Sequence, residues 1–236
     1  LYRDGLDKTK ELAGEDPVYF IYNGDFTQGN RFKEFLSYPS MPDQMQIAAD
    51  LICRSVKELP TLKAIRMTRS TQVHAYEEGV ADNGVLQNIR GRYPELDIEL
   101  VSHGLMNIGG VWVDYAHHGP AGGNRSWLKG NVMTYYAKSV VSDAMRDNNP
   151  IPNIILRAHK HERIEVPLIT FRKDERIQTV AMTIPSFQLM TPHAQKVTQS
   201  EPLCTNGMVA IELENNKVID VHWFANTRSY RYEETL

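Results

Sequence analysis

Five of the eight histidines in this chain, His74, His117, His118, His159 and His161, follow short runs of apolar and β-branched residues. The tightest group is Ala158-His159-Lys160-His161, directly after Asn153-Ile154-Ile155-Leu156-Arg157. Imidazole is the commonest neutral metal ligand near physiological pH. Side chains at i and i+2 of an extended chain leave on one side. His159 and His161 are therefore expected to face one site from the end of a buried strand, Ile154 to Leu156. Two such rings suit one metal ion, or one ring for each of two neighbouring ions; the bland alternative is a pair of surface histidines on a turn. Asp25 stands in the same relation to a run at Val18 to Tyr22, after Asn23-Gly24. A carboxylate can bridge two ions, and a glycine before it lets the backbone pass close to them. Carboxylate mixed with imidazole favours Mn, Fe or Zn over Ca or Mg. A two-metal hydrolase fits this set: its ions lie about 3.5–4 Å apart, activate a water and neutralise a phosphoryl group.

The elements that must position these residues alternate early and become all strand late. A short helix over 5–13 precedes the Val18 to Tyr22 strand, which ends in the loop Asn23 to Asn30. Met45, Ala48, Ala49, Ile52 and Val56 keep helical spacing after Pro42, and Pro60 ends that helix. Leu62 to Met67 is a strand, Thr68 to His74 a polar loop and Gly79 to Arg92 a helix. Asp97 to Ser102 and Val111 to Ala116 are expected to pair through a turn at Asn107-Ile108-Gly109-Gly110, the second strand running into His117-His118-Gly119-Pro120. Met133, Ala137, Val140, Val141 and Ala144 mark a further helix. Ile164 to Phe171, Gln178 to Ile184, Met208 to Glu212 and Val218 to Trp223 are β structure. The expected class is α/β, a mixed sheet core with helices outside, in a single domain over 1–236.

Composition sets the outer bounds. With 236 residues, 42% hydrophobic and 23% charged, the chain is an ordinary globular one. Its net charge of −3 excludes a generally basic nucleic-acid coat but leaves room for a local basic groove. No apolar run approaches the roughly 18 residues of a membrane span, so no membrane partner is expected. Cys53 and Cys204 are too few and too far apart for a disulfide framework, which fits a reducing cytoplasm.

The order Asn23-Gly24-Asp25, His117-His118-Gly119-Pro120, Ala158-His159-Lys160-His161 resembles the calcineurin-like metallophosphoesterase superfamily. That family's motifs run Asp-x-His, Gly-Asp, Gly-Asn-His-Asp/Glu, a lone His and Gly-His-x-His, each at a strand end. The stretches Arg66 to His74, Asp114 to Pro120, Arg157 to Arg163 and Pro185 to Met208 look like phage and prophage phosphoesterases, which would place the protein in the cytoplasm of a bacterial or phage-infected cell. The resemblance implies a two-sheet β-sandwich flanked by helices and two divalent transition-metal ions, manganese foremost, with iron, zinc or nickel as alternatives. It implies Asp25 as the bridge, His117 (or His118) and His159 on the second ion, and His161 on the first. His74 would contact the scissile phosphate and protonate the leaving oxygen.

Three departures from the pattern follow. No histidine stands between Leu1 and Tyr22, so Asp-x-His is absent; the chain opens like mid-protein sequence, and the expectation is a missing N-terminal strand. Ser70-Thr71-Gln72-Val73-His74 replaces Gly-Asn-His-Asp/Glu, so Thr71 or His74 would stand in for the asparagine ligand. Ala158 replaces a glycine.

Basic residues and a tryptophan surround these motifs: Arg31, Arg66, Arg69, Arg125, Trp127, Lys129, Arg157, Lys160 and Arg163. Arginine binds phosphate oxygens bidentately, so Arg69 and Arg125 are candidate substrate ligands. Trp127 is a candidate base-stacking residue, unless its ring folds back onto the core. The expected activity is hydrolysis of a phosphodiester, in DNA, RNA or a nucleotide, by a hydroxide that the metals activate. The rival readings are a degenerate fold serving as a binding or scaffold module, and a phosphomonoesterase.

Overall fold

The chain folds as two units, Tyr2–His103 and Gly104–Leu236, in a computed structural model that describes residues 1–30, 38, 40–120, 128, 130–187, 203–231 and 234. The expected mixed α/β class is what the structure shows. No described helix is long and apolar enough to cross a membrane.

The first unit contains α1 (Tyr2–Ala13), β1 (Val18–Tyr22), α2 (Met41–Glu58), β2 (Leu62–Thr68), α3 (Gln72–Ala75), α4 (Val80–Arg92) and β3 (Asp97–Val101). Its three strands are parallel in the order β1-β2-β3. In the central strand Ala64, Ile65, Met67 and Thr68 are all buried, as expected where helices cover both faces of a parallel sheet. Ala48, Ala49, Ile52 and Cys53 of α2 pack with Val85, Leu86 and Ile89 of α4 and with Ile65, Met67 and Ile98 of the sheet. Burying each large apolar side chain contributes about 1.5–3 kcal/mol. Ser40 caps α2 by accepting from the Asp43 N–H, and Pro42 occupies its first turn. Tyr22 ends β1 in a hydroxyl chain, bonded to Tyr2 Oη at 2.8 Å and donating to Ser55 Oγ at 3.0 Å.

The second unit contains β4 (His103–Ile108), which starts at the boundary, then β5 (Val111–Ala116), α5 (Asn131–Arg146), β6 (Ile154–Arg157), β7 (Ile164–Arg172), β8 (Glu175–Thr183), β9 (Leu203–Glu214) and β10 (Lys217–Ser229). The main sheet runs β4-β5-β6-β8-β7. Strands β5, β6 and β8 are parallel, and β7 lies antiparallel to β8. Met133 and Ala137 of α5 pack on Ile155, Ile164 and Ala181 of the sheet. β9 and β10 form an antiparallel hairpin.

Two sequence expectations need correction. Asp97–Val101 does not pair with Val111–Ala116 but lies parallel to β2. The partner of β5 in the sheet order is the separate strand His103–Ile108. Gly109 and Gly110, at φ 55° and 88°, make the two-residue turn that joins β4 to β5. Asn107 Oδ1 accepts the Gly110 N–H at 3.0 Å. So short a turn forces the strand directly before it into the pair, and that strand is polar enough (His103, Asn107) to read as loop. In addition, the expected loop 68–74 contains a helical turn, Gln72–Ala75.

Candidate metal centre

In the first unit Asp25 lies just beyond β1 with left-handed backbone, φ 51°. Its Oδ1 accepts the Thr71 N–H at 2.8 Å and the Thr71 Oγ1–H at 3.0 Å. Its Oδ2 lies 3.8 Å from His74 Nε2. His74 is set by a reciprocal clamp: Nδ1 lies 2.8 Å from the Thr27 carbonyl oxygen, and Thr27 Oγ1 donates to the His74 carbonyl at 2.6 Å. A carbonyl only accepts, so Nδ1 carries the proton. His74 Nε2 therefore turns towards Asp25 either as a bare lone pair or as the second N–H of an imidazolium. The helical turn after Thr71 is what brings this ring back to Asp25. Thr71, expected as a stand-in ligand, is a double donor to Asp25 here.

Behind Thr71 stands a carboxylate that sequence reasoning missed. Asp82 is 1% exposed and accepts from the Ser70 N–H at 2.8 Å and the Ser70 Oγ–H at 2.5 Å. Burial raises its pKa above the usual carboxylate value, with the Asp25 charge adding to the rise and the Ser70 hydrogen bonds opposing it. The signal was in the sequence. Asp82 falls on the apolar stripe of α4 with Ala81, Val85, Leu86 and Ile89, and a carboxylate on a buried stripe needs a partner. Arg69 is exposed at the end of β2, with its backbone N–H bonded to Val101.

In the second unit β5 and β6 are adjacent parallel strands, so their C-terminal ends, and the histidines after them, emerge together. His117 is 2% exposed. Its Nε2 lies 3.3 Å from Nδ1 of His159. His118 is exposed, yet its ring joins the group, with centroids 5.1 Å from His117 and 4.9 Å from His159. The structure thus brings His117, His118 and His159 together. His159 and His161 do not have the extended geometry expected of them. The strand ends at Arg157, and both residues are left-handed, at φ 72° and 52°. His161 is tied instead through its carbonyl, which accepts the Thr205 N–H at 2.8 Å.

Two arginines expected at the site are engaged elsewhere. Arg66 pairs bidentately with Asp97 at 2.9 and 2.8 Å. Arg157 is completely buried, so neither serves as a free phosphate ligand. Arg125 and Trp127, with Arg31 and Lys129, lie outside the described residues.

No family model and no curated protein matches the chain. Among solved structures, one described as a novel archaeal phosphodiesterase is similar at 11% identity with a TM-score of 0.38, over 87% of this chain and 99% of its own. At that identity and score the likeness is a distant one.

Proposed function

We propose that the chain is a metal-dependent phosphoesterase that hydrolyses a phosphodiester, in nucleic acid or a nucleotide, with two divalent transition-metal ions. Manganese is the first choice, with iron, zinc or nickel as alternatives. The observation that supports it best is the pair of ring nitrogens from His117 and His159, 3.3 Å apart at the ends of neighbouring strands. Nitrogens so placed share either a proton or a cation. A third imidazole beside them, and the Asp25 carboxylate in the first unit, fit a divalent transition-metal ion. The assignment of roles rests on the order of motifs along the chain, in the manner of the calcineurin-like metallophosphoesterases. Asp25 is the proposed bridging ligand, His117 and His159 bind one ion with His118 as the alternative to His117, and His161 binds the other.

The ions would supply Lewis acidity toward the phosphoryl oxygens and lower the pKa of a bound water. The protein supplies orientation and proton handling. Thr71 fixes the Asp25 carboxylate through Oδ1. His74, steered by the Nδ1–H to Thr27 bond, presents Nε2 as the atom that protonates the leaving oxygen. Arg69, Arg125 and Trp127 are the proposed substrate contacts, the arginines on phosphate oxygens and the tryptophan on a base.

The test is hydrolysis of bis(p-nitrophenyl) phosphate by protein stripped with chelator and reloaded with manganese, beside His159→Ala and His74→Ala. Manganese-dependent turnover is expected, with metal retention lost in His159→Ala. In His74→Ala metal is retained and kcat falls about 10²–10⁴-fold, the usual reach of a general acid. Absence of both turnover and bound metal in the unsubstituted protein would sink the reading and leave a binding or scaffold role. Activity confined to monoesters would redirect it to a phosphatase.

A further inference from the structure

Among the described residues Arg157 is the largest fully buried side chain, at 0% exposure. Four groups hold its guanidinium. Nη2 lies 2.5 Å from Asp114 Oδ1. Nε and Nη2 both donate to Tyr136 Oη, at 2.9 and 2.7 Å. Nη1 donates to the Leu156 carbonyl at 2.7 Å and, more weakly, to that of Asp114 at 3.4 Å. The Arg157 centre also lies 5.2 Å from the Tyr136 ring centroid. Such an arrangement is a poor stability device, because a buried ion pair often contributes less than apolar residues of the same volume. What it supplies is geometry, since the guanidinium is a rigid planar fork that fixes several acceptors relative to one another.

Tyr136 stands on α5, but the other three acceptors belong to the segments that carry the histidines. Asp114 stands three residues before His117 on β5, and Leu156 three before His159 on β6. Past the strand ends the Ala158 N–H donates to the His117 carbonyl at 3.0 Å. Gly119 closes over the arginine stem: a Cβ there would lie 2.6 Å from Arg157 Cβ and 2.8 Å from Cγ. The path of the His117-His118-Gly119 turn is therefore moulded on Arg157. Two residues on, the left-handed His159 depends on its surroundings to hold a costly conformation.

We infer that Arg157, clamped by Asp114 and Tyr136, is a positioning residue that sets the His117 and His159 rings for metal binding. The inference rests on the metal-dependent reading above. It assigns Arg157 to the support behind the ligands, where substitutions in known metal sites weaken metal affinity by about 10–100-fold.

The experiment measures manganese affinity by calorimetry and the cobalt(II) ligand-field spectrum on the intact protein, in Arg157→Met, Arg157→Lys and Tyr136→Phe, with folding checked by circular dichroism. Arg157→Met is expected to lose affinity by about 10–100-fold and to alter the cobalt spectrum. Arg157→Lys, which restores the charge opposite Asp114 but not the fork, falls between Met and the unsubstituted protein. Tyr136→Phe removes one anchor, leaves the ion pair, and decides the matter if Arg157→Met does not fold; a severalfold loss with a shifted spectrum is expected. Folded variants with unchanged affinity and spectrum would overturn the inference while leaving the metal reading intact. An unsubstituted protein that binds neither ion would overturn both.

Discussion

Replacing Asp82 tests whether a buried carboxylate holds the loop that orients Asp25. In Asp82→Ala the Ser70 N–H and Oγ–H, now bonded at 2.8 and 2.5 Å, lose their acceptor in a partly buried place. Hydrogen bonds to a charged group contribute about 1.5–3 kcal/mol each. Removing the cost of burying the carboxylate offsets part of that loss, so a net destabilisation of about 3 kcal/mol is expected. Asp82→Asn keeps the shape. Its Oδ1 accepts the Ser70 N–H, and after the Ser70 hydroxyl rotates its amide donates to Oγ, so the cost is about 1 kcal/mol or less. The pH dependence separates the two effects. Burial raises the Asp82 pKa in the folded state, so the native protein holds this proton more tightly than the unfolded chain. The associated stability is fully present below the ordinary carboxylate value and is lost as pH rises through the elevated one. Asparagine does not titrate there. The stability of the unsubstituted protein relative to Asp82→Asn must therefore fall from acid to neutral pH.

Trp112, Trp127 and Trp223 all lie in 104–236, so tryptophan fluorescence would miss the event. Hydrogen exchange of peptides across 62–92, in chelator from pH 4 to 8, reports on it directly once corrected for the intrinsic effect of pH. Three kcal/mol corresponds to an opening roughly 10²-fold more frequent in Asp82→Ala. Protection within threefold of the unsubstituted protein, or a gap to Asp82→Asn that widens towards neutral pH, would refute the reasoning.

Gln44, 4% exposed, accepts from the Gln28 and Gly29 N–H groups and donates to the carbonyls of Gly29 and Tyr38. Gln44→Glu sets a carboxylate against those two carbonyls, so a loss of about 3 kcal/mol is expected in urea unfolding followed by circular dichroism, against about 1–2 for Gln44→Met, which brings no charge. Arg66 holds the Asp97 carboxyl below its ordinary range, but the Asp97 side chain is more than half exposed. Arg66→Ala should therefore cost under about 1 kcal/mol. That small contribution should vanish as pH falls through the depressed Asp97 pKa, and it should shrink in 1 M salt, both read by the same assay.

Local chemistry made most of the fold legible. Val18–Tyr22 and Ile154–Arg157 are short β-branched and aromatic runs that read as strands; the second is buried throughout, whereas in the first only Val18 is buried and Tyr19 is exposed. The α2 stripe and its proline bounds left no other helix to draw. What failed was pairing, because Asp97–Val101 is equally strand-like whichever neighbour it joins, and the deciding signal was a two-glycine turn. At the site, residue types pointed to Asp25, His74, His117 and His159. The backbone that presents two of them, left-handed at Asp25 and His159, has no marker in the sequence. The supports were harder still. Arg157 read as one of several basic residues around the motifs, because nothing in a strand sequence distinguishes an arginine turned inward towards Asp114 from one turned outward.

Each unit places several strained or buried charged residues beside its candidate ligands. In the first, Asp25 and the run Tyr76, Glu77 and Glu78 after His74 are all left-handed without being glycine, and Asp82 is a buried carboxylate. In the second, His159 and His161 are left-handed and Arg157 is a buried cation. A non-glycine residue in that backbone region costs about 1–3 kcal/mol, and Asp and His tolerate it better than tyrosine or glutamate. Selection for stability alone would place glycine or asparagine at such turns and leucine or methionine where Arg157 stands. Conflicts between local preference and fold are expected where function constrains the chain. Here Asp25 follows β1, Tyr76 to Glu78 follow the helical turn of His74, and His159 and His161 follow β6, while Asn148, Lys173, Asn215 and Asn216 take the same backbone in turns away from the candidate ligands. That part of the pattern follows from backbone angles and burial, which owe nothing to motif resemblance.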